Sequence, residues 1–212
     1  MKTSLRTWLL SGREKKILLL RHGESLRKTD EKRFVGQTDL PLSRMGRRQA
    51  QCWREWLADV PIAHIISSDL SRCVETAHIL ATNRPLIVES LADLREIDLG
   101  GWDGITFRRV REHWPDAFRQ RGTEMARFRP PGGESFLDLQ QRVVPIFEQA
   151  VDQAGGNLLV VAHAGVNRMI LCHLLGMPAQ HLFRIAQDDG AMNLIGRHAH
   201  GYRVQAINLQ PA

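Results

Sequence analysis

Two histidines stand directly after short apolar runs. His22 follows the run at residues 17–20, with Arg21 between them, and His163 follows a similar run at residues 158–162. Such runs, closed by a polar turn, indicate buried strands, and the ligand crevice of a parallel sheet lies beyond the carboxyl ends of its strands. Either histidine alone is read more simply as the end of a strand. Together with Arg21 they predict a site that binds an anion and holds a nucleophilic imidazole.

A third segment, residues 67–72, contains three serines, an aspartate and an arginine. It follows a predicted strand and opens a predicted helix, so its hydroxyl and N–H groups can face an anion with Arg72 as a bidentate donor. The simpler interpretation is an ordinary helix N-cap with a solvated arginine. Both interpretations stay open at this stage.

A fourth segment, residues 94–104, mixes carboxylates, glycines and a tryptophan without a helical or strand period. Loops of this kind often carry function. A carboxylate beside a cationic cluster is useful only if it exchanges a proton, because a purely anion-binding site would exclude it. The loop is therefore a candidate source of a general acid or base.

The elements that must position these segments alternate between strand and helix. Predicted strands cover residues 17–20, 64–67, 86–88 and 157–162, and predicted helices cover 43–57, 69–81, 135–154 and 166–175. Residues 192–209 read as two strands of an antiparallel hairpin. This order predicts a three-layer α/β/α sandwich with a doubly wound, mostly parallel sheet. We expect one domain over residues 1–212, with an N-terminal extension (1–16) and an inserted helical lid (about 106–131).

Composition narrows the class of protein. The chain has 212 residues, of which 43% are hydrophobic and 25% charged, so it should fold rather than stay disordered. The net charge of +6 and the pI near 9.8 favour anionic partners without choosing among phosphate esters, nucleic acid and membrane surfaces.

Cysteine spacing and the length of the apolar runs indicate the metal content and the cellular compartment of the protein. Three widely spaced cysteines without a Cys-x-x-Cys pair predict neither a disulfide framework nor a thiolate metal site. The apolar runs are too short to span a membrane, and residues 1–16 lack the apolar stretch of a signal peptide. A cytoplasmic protein is therefore expected.

Six segments in this order resemble the motifs of the histidine phosphatase superfamily, the phosphoglycerate-mutase-like group. A tripeptide such as Arg-His-Gly occurs by chance, but six motifs in the family's order make a strong signal. The resemblance spans residues from about 17 to 209. The segments are residues 21–24, 34–43, 67–77, 96–104, 131–135 and 162–165.

The resemblance implies the family's doubly wound α/β fold and a role for each residue at a matching position. His22 would attack phosphorus, and Glu96 would donate and accept the proton. Arg21, Arg72 and a protonated His163 would clamp the phosphate. These cations can stabilise the transferring phosphoryl group without a metal, so no cofactor is expected.

The chain departs from the family pattern at three positions. Many members have a phosphate-contacting asparagine where this chain has Lys28, which either binds phosphate as a charged donor or points to solvent. Ala164 stands where many members have glycine, and Cys73 where many have alanine.

The resemblance is to the phosphatase branch of the family. A phosphatase admits water to its phosphohistidine, whereas a phosphoglycerate mutase protects it and transfers the phosphoryl group. The tail at residues 183–193 is most similar to that of α-ribazole phosphatases, which remove the 5′-phosphate of a nucleoside-like cobalamin precursor. Phosphomonoester hydrolysis is implied, with α-ribazole 5′-phosphate in cobalamin biosynthesis as the substrate and mutase-type transfer as the alternative.

A non-enzymatic binding module is the competing class. Residues 107–129 contain seven arginines interleaved with aromatic side chains, a composition that could grip single-stranded nucleic acid. A lid is favoured, because the stretch lies between two site motifs. We expect a small phosphate ester as the partner, with neither nucleic acid nor membrane, and homodimer formation stays open.

Overall fold

A computed structural model describes residues 2–12, 14–26 and 31–211. Lys28 lies outside these residues. The strands are β1 (Lys15–Arg21), β2 (His64–Ser68), β3 (Val88–Leu91), β4 (Leu158–Ala162), β5 (Met192–His198) and β6 (Gly201–Leu209). The helices are α1 (Lys2–Leu10), α2 (Arg44–Trp56), α3 (Ser71–Ala81), α4 (Phe107–His113), α5 (Pro115–Thr123), α6 (Phe136–Gln153) and α7 (Ala164–Leu174). Short 3₁₀ turns cover Ala92–Leu94, Gly100–Trp102 and Ala179–Arg184.

The strands form one sheet in the order β3-β2-β4-β1-β5-β6. The first four are parallel, and β5 and β6 are antiparallel to their neighbours, so the predicted fold class and C-terminal hairpin are confirmed. In the central pair, Arg21 of β1 lies in register with Ala162 of β4. The two strands therefore end at the same level of the sheet.

Apolar residues of β1 alternate between the two faces of the sheet. Ile17 and Leu19 belong to the core formed with α6 and α7. Leu18 and Leu20 belong to the core on the opposite face, with α1, α2 and α3. Burial on both faces explains why the central strands read as continuous apolar runs, and it makes the three layers that the alternation of elements predicts.

Serines at the predicted helix starts act as N-caps. Ser43 accepts the N–H of Gly46, and Ser135 forms a capping box with Asp138. The start of α3 differs from its prediction by two residues, because Asp69 forms an ion pair with Arg95 instead of entering the helix.

The N-terminal extension packs against the sheet near the start of β1. Leu9 of α1 is buried in the core shared with α2 and α3. Lys16 is fully buried, lies 3.3 Å from the Glu14 carboxylate and stacks over the Trp8 ring. Because Lys16 and Arg21 lie at opposite ends of β1, this cluster is remote from the carboxyl end of the sheet.

Residues 106–131 contain α4 and α5 and pack partly on the core. Val110 and Ala126 are buried there. Several of the arginines form ion pairs, including Arg119 with Asp116. A lid function for this stretch stays a prediction. Among the described residues, no helix is long and apolar enough to cross a membrane.

Candidate active site

The two predicted histidines lie together at the carboxyl end of the sheet. The register of β1 with β4 places them side by side, and the N–H of His22 donates to the Ala162 carbonyl at 3.0 Å. The His22 and His163 rings have centroids 5.1 Å apart and meet edge to face. The sequence pattern thus located both residues correctly at the ends of neighbouring strands.

His22 is held as a neutral imidazole with one nitrogen committed. Its Nδ1 lies 2.7 Å from the Gly23 carbonyl, which can only accept a hydrogen bond, so Nδ1 carries the proton and Nε2 keeps its lone pair. Burial, followed by the charges of Arg21 and Arg72, holds the pKa of His22 well below its ordinary value of 6.5. The imidazole can therefore act as a nucleophile at neutral pH.

His163 is fully buried beside it. Its Nε2 lies 2.9 Å from the Ser68 hydroxyl and 3.4 Å from the Cys73 sulfur. Burial, followed by the electrostatic interaction with the His22 imidazole and by the charges of the nearby arginines, holds the pKa of His163 well below 6.5. The low pKa favours a neutral His163 in the free protein, and the protonated His163 that the resemblance implies for the phosphate clamp stays a prediction. An imidazole withdrawn from water among guanidinium groups does not keep a proton until an anion binds.

Cys73 is a neutral thiol in this position. Burial raises the pKa of the Cys73 thiol, and its sulfur also lies 3.5 Å from the Ala162 carbonyl. Sequence comparison with the family marked the position as a departure, but it did not indicate this contact with His163.

Arg72 is 1% exposed and anchors the loop before α2. Its Nη1 donates to the Thr38 carbonyl at 2.9 Å and its Nη2 to the Gly36 carbonyl at 2.7 Å. A guanidinium has five N–H groups, so these two bonds fix its plane and leave donors for an anion. The simpler interpretation of Arg72 as a solvated residue is wrong.

Arg21 has a similar mixture of fixed and free donors. Its Nη1 donates to the Gln187 carbonyl at 2.7 Å, and its Nη2 lies 2.5 Å from the Asp189 carboxylate. Its Nε is buried and has no hydrogen-bond partner among the described residues. A buried donor without a partner is expensive unless a ligand satisfies it.

Glu96 brings a carboxylate next to this cationic cluster. Its Oε1 accepts the N–H of Ile97 and its Oε2 the N–H of Gly165, both at 2.9 Å. A methyl group on Gly165 would overlap this carboxylate, so glycine is required there by close packing. The glycine two residues after His163 was a visible signal, but its partner could not be read from the sequence.

A second arginine holds the loop that carries Glu96. Arg142 donates from Nε and Nη2 to Glu134 at 2.8 and 2.7 Å, and from Nη1 to the carbonyls of Asp93 and Arg95. The Glu134 carboxylate in turn accepts the N–H of Asp98 at 3.0 Å. Glu134, in the segment at 131–135, therefore supports the loop that carries Glu96.

The hydroxyls of segment 67–72 do not converge on an anion as the sequence suggested. Ser67 donates to the Ser68 carbonyl and Ser71 to Asp39, so only Ser68 reaches the histidine pair. Asp103 is likewise occupied, since it accepts the N–H groups of Gly36 and Thr38.

No group of three or more histidine, cysteine, aspartate or glutamate side chains with the geometry of a metal site occurs among the residues described. The charge available to an anion comes instead from guanidinium groups. Two arginines, two imidazoles and one carboxylate near the carboxyl ends of β1 and β4 are the types of group that phosphoryl transfer requires.

The family profile of the histidine phosphatase superfamily (branch 1) matches residues 17–210. The chain belongs to this superfamily. This histidine phosphatase is 35% identical over 177 residues to a glucosyl-3-phosphoglycerate phosphatase of Mycolicibacterium vanbaalenii, covering 80% of this chain and 78% of the relative.

Other relatives have a different substrate in their names. The adenosylcobalamin/alpha-ribazole phosphatase of Escherichia coli is 28% identical over 181 residues, covering 85% of this chain and 89% of that protein. The crystal structure of the alpha-ribazole phosphatase from Shigella flexneri matches with a TM-score of 0.84 and 26% identity, covering 92% of this chain and 96% of the other. The protein is a phosphatase. Its relatives act on phosphate esters that differ in their alcohol part.

Proposed function

We propose that this phosphatase hydrolyses phosphomonoesters without a metal ion, through a phosphohistidine on His22. The observation that carries the proposal is the hydrogen bond from His22 Nδ1 to the Gly23 carbonyl at 2.7 Å, which leaves the Nε2 lone pair free. The depressed pKa of His22 keeps this lone pair unprotonated at neutral pH. Metal chemistry is not needed, because Arg21 and Arg72 supply the positive charge that the phosphoryl oxygens require.

In the first half-reaction, the lone pair of His22 Nε2 forms a bond to phosphorus and the bond from phosphorus to the ester oxygen breaks. Glu96, entering this step protonated, gives its proton to the departing alkoxide. Arg21 and Arg72 hold the phosphoryl oxygens, and Ser68 orients His163 beside them. Negative charge from the bound phosphate favours uptake of a proton by His163 and so completes the clamp.

In the second half-reaction, a water molecule takes the place of the alcohol. The oxygen of the water molecule forms a bond to phosphorus, and the Glu96 carboxylate accepts a proton from the water as this bond forms. The bond from phosphorus to Nε2 breaks, its electron pair returns to His22, and inorganic phosphate leaves. The same carboxylate thus acts as acid and then as base, and the protein returns to its starting state.

Two substrates have specific support. The tail at residues 183–193 and the match to the Shigella structure favour α-ribazole 5′-phosphate. The 35% identity to the mycobacterial enzyme favours glucosyl-3-phosphoglycerate. Both are phosphomonoesters, so the same two half-reactions apply and only the alcohol part differs.

The experiment is phosphate release from both esters, in buffer with EDTA and in buffer with added Mg²⁺. We expect turnover in EDTA, none with His22→Ala, and wild-type rates with His200→Ala, an exposed histidine at the turn of the β5–β6 hairpin. Activity that EDTA abolishes and a divalent ion restores would contradict the proposal. Transfer of the phosphoryl group to a free hydroxyl of a substrate molecule, without release of inorganic phosphate, would point to a mutase.

A further inference from the structure

Arg168 lies beside the site without belonging to the proposed phosphate clamp. It stands on α7, three residues after Gly165, so the two lie on the same helix face, and side chains on a helix lean toward its N-terminus. A Cβ added to Gly165 would overlap the Glu96 carboxylate, so this face points toward Glu96. The pKa of Arg168 is lowered, mainly by burial and then by the charge of Arg21, and the Glu96 charge opposes this effect.

The charge of Arg168 has no direct counter-charge. Its Nε donates to the Ile185 carbonyl at 2.9 Å, but Arg168 forms no ion pair within the part of the chain that the structure describes. Arg21 and Arg142 have ion pairs, with Asp189 and Glu134, whereas Arg72 is held by the Thr38 and Gly36 carbonyls and is already part of the proposed phosphate clamp. The terminal N–H groups of Arg168 are thus available to an anion.

An exposed aromatic ring stands next to this guanidinium. The Arg168 guanidinium carbon lies 5.1 Å from the centre of the Phe183 ring, which meets the Phe136 ring edge to face at 5.9 Å. Phe183 is nevertheless 51% exposed. The contact with the ring and the bond from Nε to the Ile185 carbonyl together restrain the position of the guanidinium, which prepares it to bind an anion.

The position of Arg168 and Phe183 relative to Glu96 indicates which part of the substrate they would contact. In the proposed function, Glu96 hands its proton to the alcohol oxygen, so a group close to Glu96 but outside the clamp faces the alcohol part of the ester. A carboxylate is the planar anion that a guanidinium binds through two parallel hydrogen bonds.

We propose that Arg168 and Phe183 form a specificity subsite for the alcohol part of the substrate, in which Arg168 binds a carboxylate and Phe183 packs against the adjoining carbon chain. The inference rests on the proposed function and deepens it. It favours phosphate esters of hydroxy acids over esters of neutral alcohols.

The test uses two pairs of phosphate esters. Within each pair, one ester has a carboxylate where the other has a hydroxymethyl group. The pairs are 3-phosphoglycerate with glycerol 3-phosphate, and 6-phosphogluconate with sorbitol 6-phosphate. Phosphate release gives kcat/KM for wild type, Arg168→Gln, Arg168→Lys and Phe183→Leu. The control is Arg197→Gln, since Arg197 also lies over an aromatic ring, that of Tyr202. In the sheet, Arg197 lies opposite Lys15, at the end of β1 that is remote from the site.

We expect wild type to prefer the carboxylated ester in at least one pair. Arg168→Gln should lower kcat/KM for that ester about 10–100-fold and for its neutral partner less than about 3-fold. Arg168→Lys should keep part of the preference, Phe183→Leu should reduce it, and Arg197→Gln should leave it unchanged.

The two proposals fail in different ways. If wild type hydrolyses both members of each pair equally, or if Arg168→Gln lowers both equally, the subsite is wrong and the proposed function stands. If wild type hydrolyses neither the four test esters nor the two esters named in the proposed function, both the proposed function and the subsite are wrong. Competitive inhibition by inorganic phosphate should be the same in wild type and Arg168→Gln, because the clamp is unchanged.

Discussion

The Glu96 carboxylate accepts the backbone N–H of Gly165 at 2.9 Å, and this contact joins the loop after β3 to the first turn of α7. His163 immediately precedes α7. One hydrogen bond therefore links the proposed proton donor to the element that carries a proposed clamp residue.

Gly165→Ala should displace Glu96. The added methyl group would overlap the carboxylate, and the close approach to the Leu139 side chain leaves little room for relaxation. We expect a loss of about 1–3 kcal/mol in the free energy of unfolding, and a fall of about 10²-fold in kcat/KM for alkyl phosphates. Denaturant titration and phosphate release measure the two effects.

Gly122→Ala is the matched control. Gly122 lies on α5, and an added methyl group would contact nothing within 4 Å. The activity of Gly122→Ala should equal that of wild type. Full activity of Gly165→Ala on alkyl phosphates would mean that Glu96 is not the proton donor or that its position is not critical.

Glu96→Gln separates the proton donor from the phosphate clamp. The amide keeps the shape but cannot supply the proton, so alkyl esters should lose about 10²–10³-fold in kcat/KM while aryl esters with good leaving groups lose much less. Arg72→Lys removes the planar fork that holds every phosphoryl group. It should slow alkyl and aryl esters by similar factors.

Kinetics with both ester classes decide the assignment. Equal losses on the two classes in Glu96→Gln would exclude it as the acid and leave it an orienting role. Asp98 and Asp103, the other two carboxylates of this loop, would then be the next to test.

The buried histidine pair should make stability depend on pH. Both pKa values are lower in the folded protein than in the unfolded chain, so the unfolded state binds more protons below about pH 6.5 and the free energy of unfolding falls as the pH decreases. Wild type should lose more stability between pH 7 and 5.5 than the double variant His22→Gln, His163→Gln, by about 2 kcal/mol.

Denaturant titrations at the two pH values measure this difference. His200→Gln, which changes an exposed histidine, should behave as wild type does. If the double variant loses as much stability as wild type, the histidines are not buried in their neutral form.

The sequence predicted the elements of the site better than their contacts. Apolar runs ending at His22 and His163 located two neighbouring strand ends, because burial on both faces leaves a continuous apolar pattern. The predicted helix starts at residues 43 and 135 rest on local signals and are confirmed, with Ser43 and Ser135 as N-caps. The strand predicted at 86–88 lies at 88–91, where the burial pattern is weak at the edge of the sheet.

Contacts between distant segments could not be predicted. The bond from Gly165 to Glu96, the anchoring of Arg72 on Gly36 and the Ser68 contact with His163 all join residues far apart in the chain. No periodicity encodes such pairs. The neutral state of His163 follows from burial among arginines, which only the folded arrangement shows.

The central claim is tested most directly by trapping the intermediate. Brief reaction with a radiolabelled ester followed by alkaline quenching should leave phosphate on His22, in a bond that is stable to alkali and labile to acid. Because Nδ1 is committed to the Gly23 carbonyl, the phosphate should sit on Nε2, which phosphorus NMR distinguishes from the Nδ1 isomer. Phosphate mapped by mass spectrometry to another residue, or full turnover by His22→Ala, would contradict the account.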